Sequence, residues 1–196
     1  MPQNATQVVA GRDIIVYTAP FAASPANALP ANTVAWGTTW GGSFVDSGYT
    51  RDGVRFRMSV QRQLINVDQV VDPVLRIPQQ RDLQMQTRLA QITALNLANA
   101  TGQGTVTTTA NHEQYDISGV ITDQYIAVGF DIRNPGDLLP IRILGYKGLV
   151  QADVEMAFNT NEAATIAFDV GLVPDTSSGT GSAARVAAFR DVNVAA

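Results

Sequence analysis

His112, the single histidine of the chain, stands in a loop of glycine, threonine and asparagine, which restricts the chemistry on offer. A nucleophilic triad needs a histidine between a nucleophile and an acid, and a His-x-x-x-His metal site needs two. His112-Glu113 lacks the second histidine of a zinc-protease helix and reads as a surface-loop residue. Paired carboxylates are the other candidates. Asp68 and Asp72 share one strand parity, as do Asp153 and Glu155. Such pairs serve glycoside hydrolysis where a cleft holds a sugar between them. With no cleft legible in the sequence, they read as solvated strand carboxylates. Gly102-Gln103-Gly104 is followed by neither Lys-Ser/Thr nor a helix start, so it is not a phosphate loop. Asn4-Ala5-Thr6 and Asn99-Ala100-Thr101 match the glycosylation sequon and read as chance. The expectation is therefore no catalytic residue, no cofactor and no metal.

Composition points the same way. The 196 residues are 45% hydrophobic, so one domain with a sizeable core is expected. Only 15% are charged, well under the usual quarter, as if much of the surface were covered in an assembly. The net charge is −4, the arginines are scattered and Lys147 is the one lysine, unlike the basic patch of a stable nucleic-acid binder. Absence of cysteine excludes disulfides and thiolate metal sites. The N-terminal residues lack the basic and apolar regions of a signal peptide, and no apolar run approaches the length of a membrane helix. The chain is expected to fold in a cytoplasm.

The elements are mostly strands. Residues 1–12 read as a polar arm and Asp13 to Thr18 as a first strand. Residues 19–43 form a long Ala/Pro/Asn/Gly loop carrying Trp36 and Trp40, either folded onto the body or used as a contact. Val54, Phe56, Met58 and Val60 alternate with Arg55, Arg57, Ser59 and Gln61, the period of a half-buried strand. Val67 to Ile77 is a second strand, which Pro73 demotes to an edge or bulge. Gln79 to Ala100 contains no glycine or proline and ends at Gly102, which predicts a helix of roughly 33 Å. Its wheel has two apolar faces, one with Leu83, Ala90, Ala94 and Leu97, the other with Met85, Leu89, Ile92 and Ala100. That pattern predicts two packing partners, the chain's own sheet and a neighbouring subunit, or else a helix sunk in the core.

Strands are further expected near 124–133 and 141–144. A hairpin is expected with Val150 to Phe158 and Ala164 to Leu172 as its arms and Asn159 to Glu162 as its turn. One hairpin face would be core; the other, with Gln151, Asp153, Glu155, Thr165 and Asp169, polar and acidic. A Gly/Ser linker precedes a last segment, 183–196, which carries Val186, Phe189, Val192 and Val194. The domain reading is 1–182 as one β domain and 183–196 as a C-terminal arm. The fold class is mainly β with one long α-helix: an antiparallel β-sandwich or barrel of about seven to nine strands.

Four segments resemble a family. Ser43-Phe44-Val45-Asp46-Ser47-Gly48-Tyr49-Thr50-Arg51-Asp52-Gly53-Val54 is similar to the aromatic-x-x-Leu-Gly-Tyr-x-x-Asp-Gly-Val segment of the major tail (tail tube) proteins of tailed phages, with Ser47 where an apolar residue is usual. Val67-Asp68-Gln69-Val70-Val71-Asp72-Pro73-Val74 resembles their Asp-Gln-x-x-x-Pro-Val strand, Arg88 to Leu97 the helix that follows, and Val16-Tyr17-Thr18-Ala19-Pro20 an aromatic-x-Ala-Pro near the N-terminus. The order and spacing of the four carry the resemblance. It implies a non-catalytic virion protein of a siphovirus-type tail, forming hexameric rings stacked into a tube in the bacterial host cytoplasm. Implied partners are further copies of the chain, a tape measure protein, and tail terminator and distal tail proteins; DNA passes without stable binding and no membrane is entered. On that reading Gln151, Asp153, Glu155, Thr165 and Asp169 line the lumen, while Met85, Leu89, Ile92, Trp36, Trp40, Val186 and Phe189 meet other subunits. A capsid decoration protein, and a carbohydrate-binding β-sandwich or small glycosidase, are the alternatives.

Overall fold

In a computed structural model, residues 13–22, 28–31, 34–67, 70–117, 119–133, 140–151, 153–156, 163–178 and 184–191 are described. In chain order the elements are β1 (Asp13–Pro20), β2 (Val45–Asp46), β3 (Thr50–Val67), β4 (Val70–Leu89), α1 (Ala94–Thr101), β5 (Thr105–Thr109), β6 (His112–Asp116), β7 (Ile126–Arg133), β8 (Ile141–Val150), β9 (Ile166–Leu172) and β10 (Ala187–Asp191). The fold is mainly antiparallel β. Eight strands form one sheet in the order β2-β1-β7-β8-β9-β4-β3, with β10 on β8, and β5 and β6 form a separate hairpin. The sheet closes on itself through one bent strand path. β2 pairs with β1, the chain turns at Gly48 (φ 80°), and β3 then pairs with β4. Ser47 donates its N–H to Val16 on one side of this corner, and Tyr49 accepts the N–H of Ala90 on the other.

The expected long helix is a correction. Residues 79–89 belong to β4, and α1 has only eight residues. Gln, Leu, Met and Arg favour a helix weakly, and strand pairing overrides that preference. The two apolar faces of the wheel have a simple origin. Leu83, Met85, Thr87 and Leu89 are buried while Gln84, Gln86 and Arg88 are not, which is a period of two. Residues two apart fall 200° apart on a helical wheel, so one strand face appears there as two opposite stripes. The true helix starts where Thr93 caps it, its side chain accepting the Asn96 N–H at 3.1 Å, and stops at Gly102 in the left-handed conformation.

The corner and α1 are joined by a buried polar knot. The hydroxyls of Thr18 and Ser47 lie 3.2 Å apart, Asn99 donates to Thr18, and Asn96 donates to the carbonyl of Ser47. Ser47, the departure from the tail-tube pattern, thus has its polar group satisfied inside the protein.

The core has two parts. Inside the closed sheet lie Val16, Met85, Leu89, Val128, Phe130, Ile143, Ile166, Phe168 and Val170. On the outer face of β1, β7 and β8, Tyr17, Ala19, Ala127 and Leu144 are covered by Trp40 and Phe44 from the loop before β2. These strands are buried on both faces, so their sequences are continuous apolar runs rather than alternating ones. The expected hairpin around 150–172 is realised in its inner part, where Gly148 to Val150 pairs with Leu172 to Val170. Residues 151 and 153–156 continue it without forming a strand, and its turn lies outside the described residues.

Candidate assembly surface

Among the described residues the β3–β4 hairpin is the longest stretch with unpaired backbone edges. β9 pairs with β4 only from Gln84 to Leu89. From Val70 to Leu83, β4 has β3 as its only strand partner among the described residues, and β3 is itself an edge strand. At roughly 3.3 Å per residue this unsupported arm is about 45 Å long. Paired residues share a face, so the register defines what each face carries. Arg62 pairs with Pro78 and Leu64 with Arg76 on one face; Gln63 pairs with Ile77 and Ile65 with Leu75 on the other. Leu64, Ile65, Val74, Leu75 and Ile77 are all exposed. Bulges after Gln61 and Ile65 interrupt the ladder, and Pro73 and Pro78 are tolerated because the distal half of β4 is an edge.

The tryptophan loop is different. Arg142 is fully buried and donates from Nη1 to the carbonyl of Ala31 at 3.1 Å, and from Nη2 to those of Val34 at 2.7 Å and Ala35 at 3.2 Å. Its Nε meets Asp131 Oδ1 at 3.3 Å, also fully buried. Trp40 donates toward Asp131 Oδ2 at 3.5 Å, and Trp36 donates to the Asp131 carbonyl at 3.3 Å. Arg190, paired with Arg142 across β10 and β8, donates to the carbonyl of Pro30. The loop is therefore strapped to the body by two arginines and a carboxylate. Burial raises the pKa of Asp131, with Arg142 acting against that rise. Burial, then the charges of Asp131 and Asp46, push the Tyr17 hydroxyl up to about 12, with Arg142 opposing. Tyr17 stacks on Trp40 at 5.0 Å, and any Cβ at Gly129 would stand 2.2 Å from the Trp40 ring.

Several expected interface residues are consequently internal. Met85 and Leu89 are 0% exposed in the chain's own core, Ile92 packs half-buried against it, and Trp40 is buried beneath its loop. Trp36 is half-buried, with the Arg133 guanidinium 5.4 Å over its ring. In the C-terminal segment β10 lies on the chain's own β8; Val186 packs against the core, while Phe189 is 64% exposed. Val192 and Val194 lie outside the described residues.

The expected acidic face is a mixed one. Arg55, Gln86 and Asp169 form one row across β3, β4 and β9, with Arg57 and Gln84 in the next row. Gln86 donates to Asp169 Oδ2 at 2.6 Å. Gln151 lies over Gly171, two residues from Asp169, and its backbone N–H donates to the Asp169 carbonyl. Asp153 and Glu155 are exposed in irregular chain, and Thr165 is half-buried just before β9. At the base of the arm Arg51 faces Arg88, which pairs with Asp52 at 3.5 Å. Among the other chemistry candidates, His112 Nδ1 lies 2.9 Å from the Thr109 hydroxyl on an exposed turn, Asp72 is exposed, and Asp68 lies outside the described residues.

Sequence reasoning missed Asp131 and Arg142. A signal was present: each interrupts an apolar strand, with opposite sign, and they are direct cross-strand partners. It also missed Asp175 and Arg185, 2.6 Å apart at an isolated bridge. Burial of Asp175 favours its neutral form, but the Ser177 hydroxyl and Arg185 outweigh this and hold its pKa below the usual value.

No family model matches the chain, and no curated protein matches it. Among solved structures it is similar to a chain in the cryo-EM structure of the anti-feeding prophage (AFP) baseplate, 6-fold symmetrised, at 11% identity and a TM-score of 0.46, covering 99% of this chain and 100% of that one.

Proposed function

We propose that this chain is a structural, non-catalytic subunit of a phage tail, and specifically that copies of it form hexameric rings stacked into the tail tube. The observation that carries the reading is the β3–β4 arm. It has free backbone edges and apolar residues exposed on both faces, a combination that invites pairing with further chains and that soluble monomers avoid. The order and spacing of the four tail-tube-like segments supply the class of assembly.

In the tube, the free β3 edge of one copy adds to the free β4 edge of the next, so that the sheet continues around a bore without exposed edges. The polar face of β3, β4 and β9 lines that bore. Arg55 and Arg57 on it are interspersed with Gln84, Gln86 and Asp169, so no continuous basic track is available to hold phosphates during DNA passage. The tube encloses a tape measure protein, ends on terminator and distal tail proteins, and is assembled in the host cytoplasm.

Electron microscopy of the purified chain tests this, with hollow tubes or six-fold rings expected. Gln61 and Gln80 are paired in register, so residues 62–79 can be replaced by an Asn-Gly turn. The shortened chain is expected to stay folded and monomeric. Tubes formed equally well without the arm, spherical shells decorated by the protein, or a glycan-binding monomer would each overturn the reading.

A further inference from the structure

The net negative charge of the chain lies on the body. The unsupported arm, residues 58–83, balances Arg62, Arg76 and Arg81 against Asp68, Asp72 and Asp82, which leaves −4 for the rest of the chain. On the distal arm, Arg62 and Arg76 lie on one face with Leu64 and are exposed. Chain of this kind, guanidinium groups set among aliphatics, fits a site that offers carboxylates beside aromatic rings.

The body has such a site at the corner where β2 turns into β3. A cleft of about 610 Å³ is lined there by Asp13, Asp46, Trp36, Tyr49, Thr50 and Gln91, among others. Its floor depends on Gly48: a Cβ there would fall 1.5 Å from the Gln91 Oε1. Asp46 uses one oxygen on the Gly48 N–H at 2.7 Å, and a carboxylate has capacity for further donors. Tyr49 is 80% exposed at the rim. The wall already accommodates one guanidinium of its own chain. Arg133 lies 3.6 Å from Asp13 and 5.4 Å over the Trp36 ring.

We infer that this cleft is the receptor for the arm of a second copy, taking the face that bears Arg62 and Arg76, with the guanidinium groups on Asp46 and Asp13 and against the rings of Tyr49 and Trp36. The inference rests on the assembly reading and identifies which surface of the neighbour the arm engages.

The cysteine-free sequence makes the test direct. Tyr49→Cys and Val74→Cys are prepared as separate chains, so any bond between them is intermolecular, and the mixture is treated with a short bismaleimide. A mixed cross-linked dimer is expected only when both variants are present. In parallel, Asp46→Arg, or Arg62→Glu with Arg76→Glu, is expected to raise the protein concentration needed for assembly about tenfold or more, and the combined variant to restore it. Thermal melts establish that each variant is folded; Asp46→Asn replaces Asp46→Arg if the latter is not. Tubes that form normally with no mixed cross-link and no response to charge reversal would overturn the receptor assignment and leave the tube reading intact. A wild-type chain that stays monomeric at every concentration would overturn both.

Discussion

The tryptophan loop and the β3–β4 arm use the same residue types to opposite ends. Both bring arginine together with large apolar side chains. Under the loop, Arg142 spends its donors on three carbonyls and Asp131, and Trp40 closes over Tyr17. On the arm, Arg62 and Arg76 are exposed beside Leu64, Ile65, Val74 and Leu75, which are exposed too. A buried, satisfied cluster stabilises the chain that contains it. An exposed cluster with free edges has its bonding capacity left for another chain. Stability and assembly are thus separated in space, and substitutions can address them one at a time.

The sharpest contrast lies within one hairpin. Met58 and Met85 are two residues apart in register on the same sheet face, yet Met58 is 61% exposed and Met85 is 0% exposed. Met85→Asp is expected to abolish folding, because an unpaired charge would be placed in the core at a cost of several kcal/mol. Met58→Asp is expected to leave the melting temperature within about 2 °C of wild type while weakening assembly. Circular dichroism melts and sedimentation velocity separate the two effects; equal loss of folding in both variants would erase the contrast.

A smaller effect is expected at the loop strap. Arg142→Met leaves Asp131 buried without its cation, and breaking such a pair costs about 3–5 kcal/mol. For a chain of this size that corresponds to a fall in melting temperature of about 10 °C. Guanidinium chloride unfolding measures the loss, and a loss under about 1 kcal/mol would mean that the strap is not a stabilising element.

The smallest effect is a pH dependence. Asp175 has its folded pKa held below the usual aspartate value of 3.8. Its contribution is therefore complete above the unfolded pKa and lost as pH falls through the folded one. Asp131, raised by burial, has the opposite sign: its ionised form is disfavoured in the fold, so acidification relieves it. Asp175→Asn is expected to destabilise at pH 7 and to flatten the fall in stability below pH 3.8. Urea melts across that range check it; an unchanged acid slope would contradict the assignment.

Much of the β architecture was legible from alternation alone. Val54 to Gln61 and Ile166 to Leu172 are strands as their alternation implies, and Ile166, Phe168 and Val170 face the core, but Phe56 and Met58 are exposed and residues 153–156 form no strand; Pro73 announced an edge. The clearest error, helix for strand over 79–89, came from a segment whose intrinsic preferences and tertiary partners disagree. Without β9 on one side and β3 on the other, Gln, Leu, Met and Arg favour a helix. With them, the ladder decides. The interface residues were misjudged for the same reason: Met85, Leu89 and Trp40 were recognised as apolar faces seeking cover, and the cover turned out to be the chain itself.

The sequence by itself determined the β class, the want of a histidine or cysteine constellation, and the strand character of Val54 to Gln61 and of Ile166 to Leu172, since these depend only on residue type and a period of two. The tertiary structure alone decided which apolar face meets the core, that Asp131 and Arg142 neutralise one another, and that the free edges belong to β3 and β4 rather than to the 150–172 hairpin. Those outcomes depend on pairings between residues distant in sequence, whose energies come from burial and cross-strand contact rather than from any local preference.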